Sequence, residues 1–464
     1  MSDTAGSGRD ATDARTIDGL YGSSQSPDRQ RDRLTSGDVP VAVYGLGKMG
    51  LPLAAVYAET TGNVTGVDID PTVIETITDG ESHVVGEPGL ADLVADQVDA
   101  GRLEATTDGS TAASAARIHV IIVPTLLDDE NDPDLTTVES VVDDIAAGLA
   151  PGDLVIAEST LPPGTCRDVL EPHLASESGL ATDEFGLAFC PERTSSGTAL
   201  RDIRGQYPKV VGGVDPESTR AAAVVYDELS ENEVHPVSDA TTAEAVKVFE
   251  GIYRDVNIGL TNELGLLADE LDVSTREAMD TANDLPMCQL HDPGPGVGGH
   301  CIPVYPYFLT GEFDADGSLL TTARDINDGM PEYTISMLNH VLEAHDIDES
   351  TPRVLLLGLT YKRDIEELRN APALEVARLL SADGATVLGV DPMLDDWGEV
   401  GDIEQVTLAE IYEQDADAVV VVTPHSEFDD LDWDAFDAPI IDGRQSVDRS
   451  ATDAPVYTIG GRWP

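Results

Sequence analysis

A cysteine in a glycine-rich loop is the first candidate for chemistry. Cys301 follows Gly298, Gly299 and His300, and the Pro/Gly-rich run 292–296 lies just upstream. Helix and strand interiors disfavour such a run, so we expect Cys301 where an irregular loop gives way to a new element. A thiol in that position can act as a nucleophile. The alternative is a small buried hydrophobe, because free cysteine is among the most buried residue types.

A Gly-x-Gly-x-x-Gly motif is the second candidate; an apolar run at 39–44 precedes it and a helix-like run at 51–58 follows it. This order lets backbone N–H groups at a helix start bind a pyrophosphate. Asp68 ends the next apolar run, 23 positions after Gly45. An acid there can bind ribose hydroxyls and would repel a 2′-phosphate, so the predicted cofactor is NAD rather than NADP. The residues predicted to bind it in this region are Gly45, Leu46, Gly47, Lys48, Met49, Gly50 and Asp68.

Polar residues also follow three later apolar runs that have the character of strands. Thr125, Thr160 and Glu192 come after the first, second and third of these runs. Ligands gather at the carboxyl ends of the strands in a parallel sheet, so these side chains are candidates for a site. The alternatives are turn formation and, for Glu192, a solvated surface carboxylate.

The net charge is extreme, because 26 Lys and Arg residues face 88 Asp and Glu residues, which gives −62. In a chain that is still 41% hydrophobic, this acidity is typical of a surface that stays hydrated in concentrated salt rather than of disorder. The protein is therefore predicted to be halophilic, and nucleic acid is not expected as a partner. Lysine is so rare that each one is expected to have a specific role; the lysines are Lys48, Lys209, Lys247 and Lys362.

The cysteines and the hydropathy pattern exclude several other classes of protein. No C-x-x-C pair occurs, which argues against a zinc site and against a disulfide framework. No apolar run approaches the roughly 20 residues of a membrane helix, and the N-terminus has no apolar signal core. We therefore predict a soluble, cytoplasmic protein without a metal ion.

The alternation of strand-like and helix-like runs predicts an α/β fold with two Rossmann-like doubly wound domains, joined by a central domain built around a long helix. A flexible N-terminal arm is expected at 1–38 and a NAD-binding domain at 39–213. The central domain is expected at 214–345, and the C-terminal domain at 346–464. Within the central domain an i, i+3/i+4 apolar series predicts a helix over 241–271, which can serve as a dimer surface.

Cations stand at the start of the long helix and in the C-terminal domain. Lys247 lies in the first turns of this helix, in the same predicted domain as Cys301. Lys362 and Arg369 follow the first apolar run of the C-terminal domain, where cations suit a nucleotide diphosphate or a carboxylate. Solvation of Lys247 and surface ion pairing of the other two are the alternatives.

Together these pieces resemble the UDP-glucose/GDP-mannose dehydrogenase family over about 39–444. The most specific motifs are Pro-Gly-Val-Gly-Gly-His-Cys-Ile-Pro at 295–303, Pro-Glu-Arg at 191–193, Arg-Asp-Val-Asn-Ile at 254–258 and Gly-Leu-Thr-Tyr-Lys at 358–362. Within the family, the first and third motifs are most similar to the branch that oxidises UDP-N-acetylmannosamine to its uronic acid.

The resemblance implies a four-electron oxidation that uses two NAD+. The long predicted helix indicates a homodimer or higher homo-oligomer. It makes Cys301 the nucleophile that carries thiohemiacetal and thioester intermediates, and Lys247 a cation that stabilises oxyanions. Glu192 becomes an acid/base or water-orienting group, while Thr125, counted as catalytic, and Thr160 lie near the nicotinamide and the reacting carbon. The residues that it assigns to the nucleotide-sugar are Glu192, Arg193, Lys247, Arg254, Gly298, Gly299, Arg324, Lys362 and Arg369.

Two positions depart from the family pattern, and both lie in the chemistry. The family usually has Asn four residues after the catalytic Lys and Asp four residues after the nucleophilic Cys, whereas this chain has Gly251 and Tyr305. Glycine weakens a helix interior by about 1 kcal/mol relative to alanine, which suggests that another group packs close to the backbone at Gly251.

Three hypotheses remain open. The first is an active dehydrogenase that makes a uronic acid, with UDP-N-acetylmannosamine as the first substrate to test. The second is a dehydrogenase with altered chemistry or with another sugar, such as UDP-glucose. The third is a descendant that binds NAD and a nucleotide-sugar without turnover. Retention of Cys301, Lys247 and Glu192 favours the first hypothesis over the third.

Overall fold

A computed structural model describes residues 19–311, 313, 317–347, 351–398, 400–401 and 403–461 of the chain. The chain divides into two compact units, residues 1–247 and 248–464. Each unit contains a sheet of its own. In the described part of the chain, every helix is too short or too polar to cross a bilayer.

The first unit alternates strands and helices. Its strands are β1 (Val41–Tyr44), β2 (Val64–Val67), β3 (Leu103–Thr106), β4 (Ile118–Ile121), β5 (Leu126–Leu127), β6 (Pro133–Asp134), β7 (Leu154–Ala157), β8 (Gly186–Phe189), β9 (Lys209–Gly213) and β10 (Val234–Pro236). Its helices are α1 (Pro27–Thr35), α2 (Gly50–Thr61), α3 (Pro71–Thr78), α4 (Leu90–Asp99), α5 (Gly109–Ala115), α6 (Thr136–Gly148), α7 (Glu171–Ser178), α8 (Ala199–Arg201) and α9 (Pro216–Leu229), with further helical turns at Cys166–Leu170 and Asp202–Gln206. The division between the units falls within α10 (Ala240–Leu266).

Parallel strands form most of the first sheet, in the order β3-β2-β1-β4-β7-β8. This is the doubly wound order, in which ligands bind beyond the carboxyl ends of the strands where the connections reverse, here β1 and β4. β9 pairs antiparallel with β8, and β10 pairs parallel with β9. The glycine motif after β1 and Thr125 after β4 therefore follow the two strands at the switch point.

Helices cover both faces of this sheet, so its central strands are buried throughout. Successive residues of β1 point to opposite faces and enter different cores. Val41 and Val43 pack in the core that contains α2, whereas Ala42 and Tyr44 pack in the core that contains α6. The predicted doubly wound domain is confirmed.

The structure corrects the expectation of a flexible arm at 1–38 for its described part. Residues 1–18 lie outside the described residues, but α1 packs against α9, and both Leu34 on α1 and the preceding Leu20 are fully buried. Arg220 on α9 donates through Nη2 to the carbonyl oxygen of Leu20 at 2.8 Å. Leu20 and Leu34 hold this polar segment in place, because both lie in the core of the first unit.

The predicted boundary at 213 is also corrected, because the first sheet continues to its edge strand β10, which ends at Pro236. The helix predicted over 241–271 corresponds to α10 and the short helix that follows it. The apolar series over 241–271 is therefore helical, as predicted. The stretch 214–236 belongs to the first α/β unit.

The second unit begins with helices and continues into a second sheet. Its helices are α11 (Ala268–Leu271), α12 (Thr275–Ala282), α13 (Tyr307–Thr310), α14 (Ser318–Asp328), α15 (Met330–Ala344) and α16 (Pro372–Ala382), with short helical turns at Ile411–Glu413, Ser426–Phe428 and Trp433–Ala435. Its strands are β11 (Arg353–Leu357), β12 (Thr386–Val390), β13 (Glu404–Gln405), β14 (Ala418–Val421), β15 (Ile440–Asp442) and β16 (Val456–Thr458).

The second sheet is parallel, in the order β13-β12-β11-β14-β15-β16, so it repeats the doubly wound arrangement. Met337 and Leu338 of α15 share a core with Val354 and Leu356 of β11. Helix α15 therefore covers this sheet, and the expected boundary at 345 falls too late, because apolar periodicity does not reveal which core a helix joins.

Replacement of Leu34 by Ala is expected to lower the free energy of unfolding of the first unit by about 2–5 kcal/mol, because it leaves a cavity in a closed core. Urea denaturation measures the loss. Arg29, on the same helix, is exposed, so Arg29→Ala should stay within about 0.5 kcal/mol of the parent chain. Equal values for the two variants would contradict the burial of Leu34.

Candidate active site

The glycine motif forms a turn between β1 and α2 that fits a dinucleotide. Gly45 has a φ of +95°, and a Cβ there would lie 2.8 Å from the carbonyl oxygen of Ile122. A Cβ at Gly50 would lie 1.9 Å from the carbonyl oxygen of Gly45, whereas a Cβ at Gly47 would have no other atom within 4 Å. Packing therefore requires the first and third glycines, and the second leaves open space beside a helix start, where a pyrophosphate can bind.

Asp68 holds this turn in place from the end of β2. Its Oδ2 accepts a hydrogen bond from the Leu46 N–H at 2.8 Å, and its Oδ1 accepts one from the Asp70 N–H at 3.0 Å. The carboxylate remains partly exposed, so further lone pairs are available to ribose hydroxyls. In the same turn Lys48 is exposed and Met49 is half-buried. The residues present thus fit NAD.

Thr125 and Thr160 are brought together at the carboxyl ends of β4 and β7. The hydroxyl of Thr125 donates to the carbonyl oxygen of Thr160 at 2.7 Å. The hydroxyl of Ser159 donates to the carbonyl oxygen of Val123 at 2.7 Å, which joins the same two loops. Both predicted residues therefore lie in one fixed region beside the switch point.

Glu192 is not a solvated surface carboxylate, because it is 8% exposed and held by three contacts. Its Oε2 lies 3.0 Å from Lys209 Nζ, and its Oε1 accepts from the Arg193 N–H at 2.7 Å. Its backbone carbonyl accepts from Lys247 Nζ at 2.6 Å. The Arg193 guanidinium bonds the carbonyl oxygen of Pro208. The structure thus joins Glu192 and Lys247 directly.

Lys209 and Glu158 belong to this cluster, although neither was predicted as a site residue. Glu158 follows β7, is 2% exposed and accepts at Oε1 from Tyr226 Oη at 2.7 Å. Burial, and next the charge of Glu192, raise the pKa of Glu158 to about 8, while Lys209 and Tyr226 act to lower it. The rarity of lysine was the one signal in the sequence that could have drawn attention to Lys209.

In the second unit, Cys301 occupies an exposed turn, whereas Cys166 and Cys190 are buried and Cys288 is half-buried. All four thiols are free. The turn begins at Cys301, whose carbonyl oxygen accepts from the Tyr305 N–H at 3.0 Å. The structural alternative for Cys301, a small buried hydrophobe, is therefore wrong.

The glycines before Cys301 attach its loop to the segment after β11. The Gly299 N–H donates to the carbonyl oxygen of Arg369 at 3.0 Å, and Asn370 Nδ2 donates to the carbonyl oxygen of Gly299 at 2.9 Å. Cβ atoms at Gly298 and Gly299 would lie 2.6 Å and 2.8 Å from Tyr361, so this ring requires both glycines. The loop can therefore approach the second sheet closely.

Cations surround this loop on the side of the second sheet. Arg369 Nη1 lies 3.0 Å from His300 Nδ1. Lys362 is half-buried in the segment that follows β11. Burial raises the pKa of Tyr361, and the charge of Cys301 adds to that effect while Arg254 opposes it. Tyr361 therefore lies near both Cys301 and Arg254, and it is a site residue that was not predicted.

Arg324, predicted to bind the nucleotide-sugar, is held by two ion pairs in the second unit. Its guanidinium is 4% exposed and pairs with the fully buried Asp255 at 2.5 Å and with Asp328. Asn327 Nδ2 also donates to Asp255 Oδ1 at 2.9 Å. A buried charge paired with two carboxylates has a structural task. A part of Arg324 in binding the substrate stays a prediction.

Gly251 and Tyr305, the two departures from the family pattern, are in contact with each other. A Cβ at Gly251 would lie 2.0 Å from Tyr305 Cδ2, and the tyrosine is 5% exposed. The expectation that a group packs against the backbone at Gly251 is confirmed, and that group is the ring of Tyr305. The two substitutions therefore act as one packing unit between α10 and the turn that starts at Cys301.

No cluster of three or more His, Cys, Asp or Glu side chains suited to a metal ion occurs among the residues described.

Gly251→Ala is expected to lower the free energy of unfolding of the second unit by about 1–3 kcal/mol, because the new methyl group overlaps the Tyr305 ring. Gly265 is the matched control on the same helix, since a Cβ there would meet its nearest atom at 3.5 Å. Gly265→Ala should raise stability by up to about 1 kcal/mol. Thermal unfolding of both variants, and of Gly251→Ala combined with Tyr305→Ala, measures the contact. Gly251→Ala should cost less in the Tyr305→Ala background than in the parent chain, and an equal cost in both backgrounds would contradict the overlap.

Three domain descriptions match consecutive parts of the chain. The NAD binding, central and UDP binding domains of the UDP-glucose/GDP-mannose dehydrogenase family match residues 39–230, 241–329 and 355–449. The UDP-N-acetyl-D-mannosamine dehydrogenase of Pyrococcus horikoshii is 34% identical over 88% of this chain and 96% of its own. The NDP-N-acetyl-D-galactosaminuronic acid dehydrogenase of Ralstonia nicotianae is 35% identical over 86% and 94%.

A solved structure of the Pyrococcus horikoshii UDP-D-ManNAc dehydrogenase superposes with a TM-score of 0.84, at 33% identity, over 91% of this chain and 99% of the other. These similarities agree with the two doubly wound sheets, the dinucleotide turn and the exposed Cys301 described above. The chain therefore belongs to the UDP-glucose/GDP-mannose dehydrogenase family and is an NAD-dependent nucleotide-sugar dehydrogenase.

Proposed function

We propose that the chain oxidises the primary alcohol of UDP-N-acetyl-D-mannosamine to the uronic acid, with Cys301 as the covalent nucleophile. The observation that carries this proposal is the exposed Cys301 thiol in a loop bonded to Arg369 and Asn370. A nucleotide held by Lys362 and Arg369 would place its sugar near that thiol. The substrate follows from the motif similarity and from the name of the Pyrococcus relative.

The proposed chemistry conserves atoms and electrons over two oxidations. NAD+ would accept one hydride in each oxidation, so two NAD+ molecules would be used in succession. Loss of a hydride from the carbon and a proton from the hydroxyl leaves an aldehyde, to which the Cys301 thiolate adds while the oxygen takes up a proton. The resulting thiohemiacetal loses a second hydride and its hydroxyl proton to become a thioester. Water then attacks the thioester carbon, the C–S bond breaks, and the acid and the thiol are released.

Glu192 and Lys247 have complementary tasks in this scheme. The ammonium group of Lys247 stabilises the oxyanions that form at the reacting carbon. The carboxylate of Glu192 orients water and accepts its proton during thioester hydrolysis. Their direct bond supports a coordinated pair, since a shift of Glu192 also moves a partner of Lys247. Thr125 and Thr160 contribute to the nicotinamide side of the reaction.

Gly251 and Tyr305 support a second candidate, a dehydrogenase with altered chemistry. Their packing leaves neither an amide at 251 nor a carboxylate at 305 to handle water. In that case turnover stops at the aldehyde or the thioester. UDP-glucose is the alternative substrate, and the Ralstonia relative adds an N-acetylgalactosamine derivative to the sugars worth testing.

NADH formation should be measured with UDP-N-acetylmannosamine, UDP-glucose and GDP-mannose offered separately in concentrated KCl. We expect the largest kcat/KM with UDP-N-acetylmannosamine. Cys301→Ala should form no uronic acid and at most one NADH per sugar, because that variant cannot hold the aldehyde for the second oxidation. Cys288→Ala is the matched control and should retain activity, since Cys288 is also free but lies outside the proposed chemistry. Uronic acid formed by Cys301→Ala at the wild-type rate, or no turnover by the wild type on any sugar, would overturn the proposal.

We further propose that two copies of the chain associate through the apolar face of α10. Phe249, Tyr253 and Leu260 on this helix are 58%, 50% and 47% exposed. They line an open groove of about 520 Å³, together with side chains from α13 and α14. An exposed apolar patch on a long helix marks an interaction surface, and a second α10 offers the matching apolar surface in a two-fold arrangement.

Leu260→Asp should convert the dimer to a monomer, because it places a charge in the apolar contact. Light scattering coupled to gel filtration measures the mass. Val85, in the first unit, is 92% exposed, so Val85→Asp is the control that should leave the mass unchanged. A wild-type chain that elutes with a mass of one copy would contradict the proposed dimer.

The acidity also fits a protein that works in concentrated salt, since salt screens repulsion within a chain of net charge −62. We propose a halophilic enzyme for this reason. Cytoplasmic location and a part in polysaccharide biosynthesis stay predictions.

A further inference from the structure

The carboxyl groups of Glu158 and Glu192 are both buried, and the ammonium group of Lys209 lies close to them. Glu158 follows β7 and Glu192 follows β8, and these strands are parallel neighbours with Ala157 opposite Phe189. Lys209, the first residue of β9, is 4% exposed and binds Glu192 Oε2. The chemistry proposed above uses neither Glu158 nor Lys209.

The strand register explains why Lys209 lies against Glu192. β8 and β9 pair antiparallel, with Ala188 opposite Gly213 and Phe189 opposite Gly212. Extending this register beyond the paired residues aligns Glu192 with Lys209. Lys209 thus lies on β9 itself, and Glu192 lies in the loop that directly follows β8.

Lys209 is held as a cation by its surroundings. Burial acts to lower its pKa, but the charge of the Glu192 carboxylate acts against burial, and the pKa stays above its ordinary value. Its Nζ also lies 5.9 Å from the centroid of the Tyr226 ring. The ammonium group thus remains charged, and it binds the Glu192 carboxylate at 3.0 Å.

Glu158 is in a different situation. Its Oε1 accepts from Tyr226 Oη at 2.7 Å and from Tyr57 Oη at 3.4 Å, whereas its Oε2 is buried without a hydrogen-bond partner among the described residues. The titratable groups that face it are Glu192, Lys209, Tyr57, Tyr226 and Cys190. A carboxyl group with an unpartnered buried oxygen beside another carboxylate favours its protonated form.

We infer that Glu158 and Lys209 are positioning residues of this dehydrogenase and act through Glu192. A neutral Glu158 leaves the Lys209 ammonium group to Glu192 alone. The ion pair then fixes Glu192, whose backbone carbonyl in turn holds Lys247 Nζ at 2.6 Å. The part of this inference that concerns catalysis rests on the function proposed above.

Lys209→Met tests the catalytic part. We expect kcat to fall roughly 10- to 100-fold, because Glu192 and Lys247 lose their fixed positions, while KM for the nucleotide-sugar stays within about twofold. Arg117→Met is the matched control, since it breaks an equally buried pair with Asp153 in the same unit. That control should lose stability and keep kcat. Unchanged kcat in folded Lys209→Met, or an equal loss in Arg117→Met, would overturn the inference.

Glu158→Gln tests the charge distribution without any turnover. The folded pKa of about 8 lies above the ordinary value of 4.5, so the proton on Glu158 stabilises the folded wild type fully below about pH 4.5. This contribution is lost as the pH rises towards 8. Denaturation from pH 5 to 9 should therefore show wild-type stability falling relative to Glu158→Gln until about pH 8 and then levelling.

A difference between these two proteins that does not change with pH would overturn the inference, whether or not the enzyme is active. A wild type that turns over none of the sugars, combined with the expected pH dependence, would count against the proposed function and leave the charge distribution supported.

Discussion

The ion pair between Lys209 and Glu192 is the contact on which the candidate catalytic groups of the first unit depend. Both side chains are buried, and removal of one partner from such a pair typically costs about 3–5 kcal/mol, because the other charge remains in a poorly solvated place. Lys209 is the first residue of β9 and Glu192 follows its neighbour β8, so these two strands bring the pair together. Through its carbonyl oxygen, Glu192 then sets the position of Lys247.

In the second unit, packing rather than an ion pair fixes the residues near Cys301. Cys301 is exposed, so burial does not fix its position. Its turn is held by the glycines that precede it and by the ring of Tyr305 that follows it. Tyr361 packs on Gly298 and Gly299, and Tyr305 packs on Gly251. In both contacts a glycine provides the space that an aromatic ring fills. Gly251 and Tyr305 are therefore best understood as partners and not as two independent losses.

Much of this architecture could be predicted from the sequence, because short apolar runs followed by polar residues define parallel strands and their carboxyl ends. The dinucleotide turn, with Asp68 at the end of β2, and the long helix α10 were found in this way. Lys209 was not, since its role arises from an antiparallel register that no local pattern contains. The ion pair between Arg324 and Asp255 was not predicted either, because the two residues are distant in the sequence.

We propose that one sugar is oxidised twice at the same carbon, the second time while it is bound covalently to Cys301. The most direct test is the amount of NADH formed from a limiting quantity of UDP-N-acetylmannosamine with NAD+ in excess. We expect about two NADH per sugar and a uronic acid as the product. One NADH per sugar, with an aldehyde released or a thioester left on the protein, would contradict it.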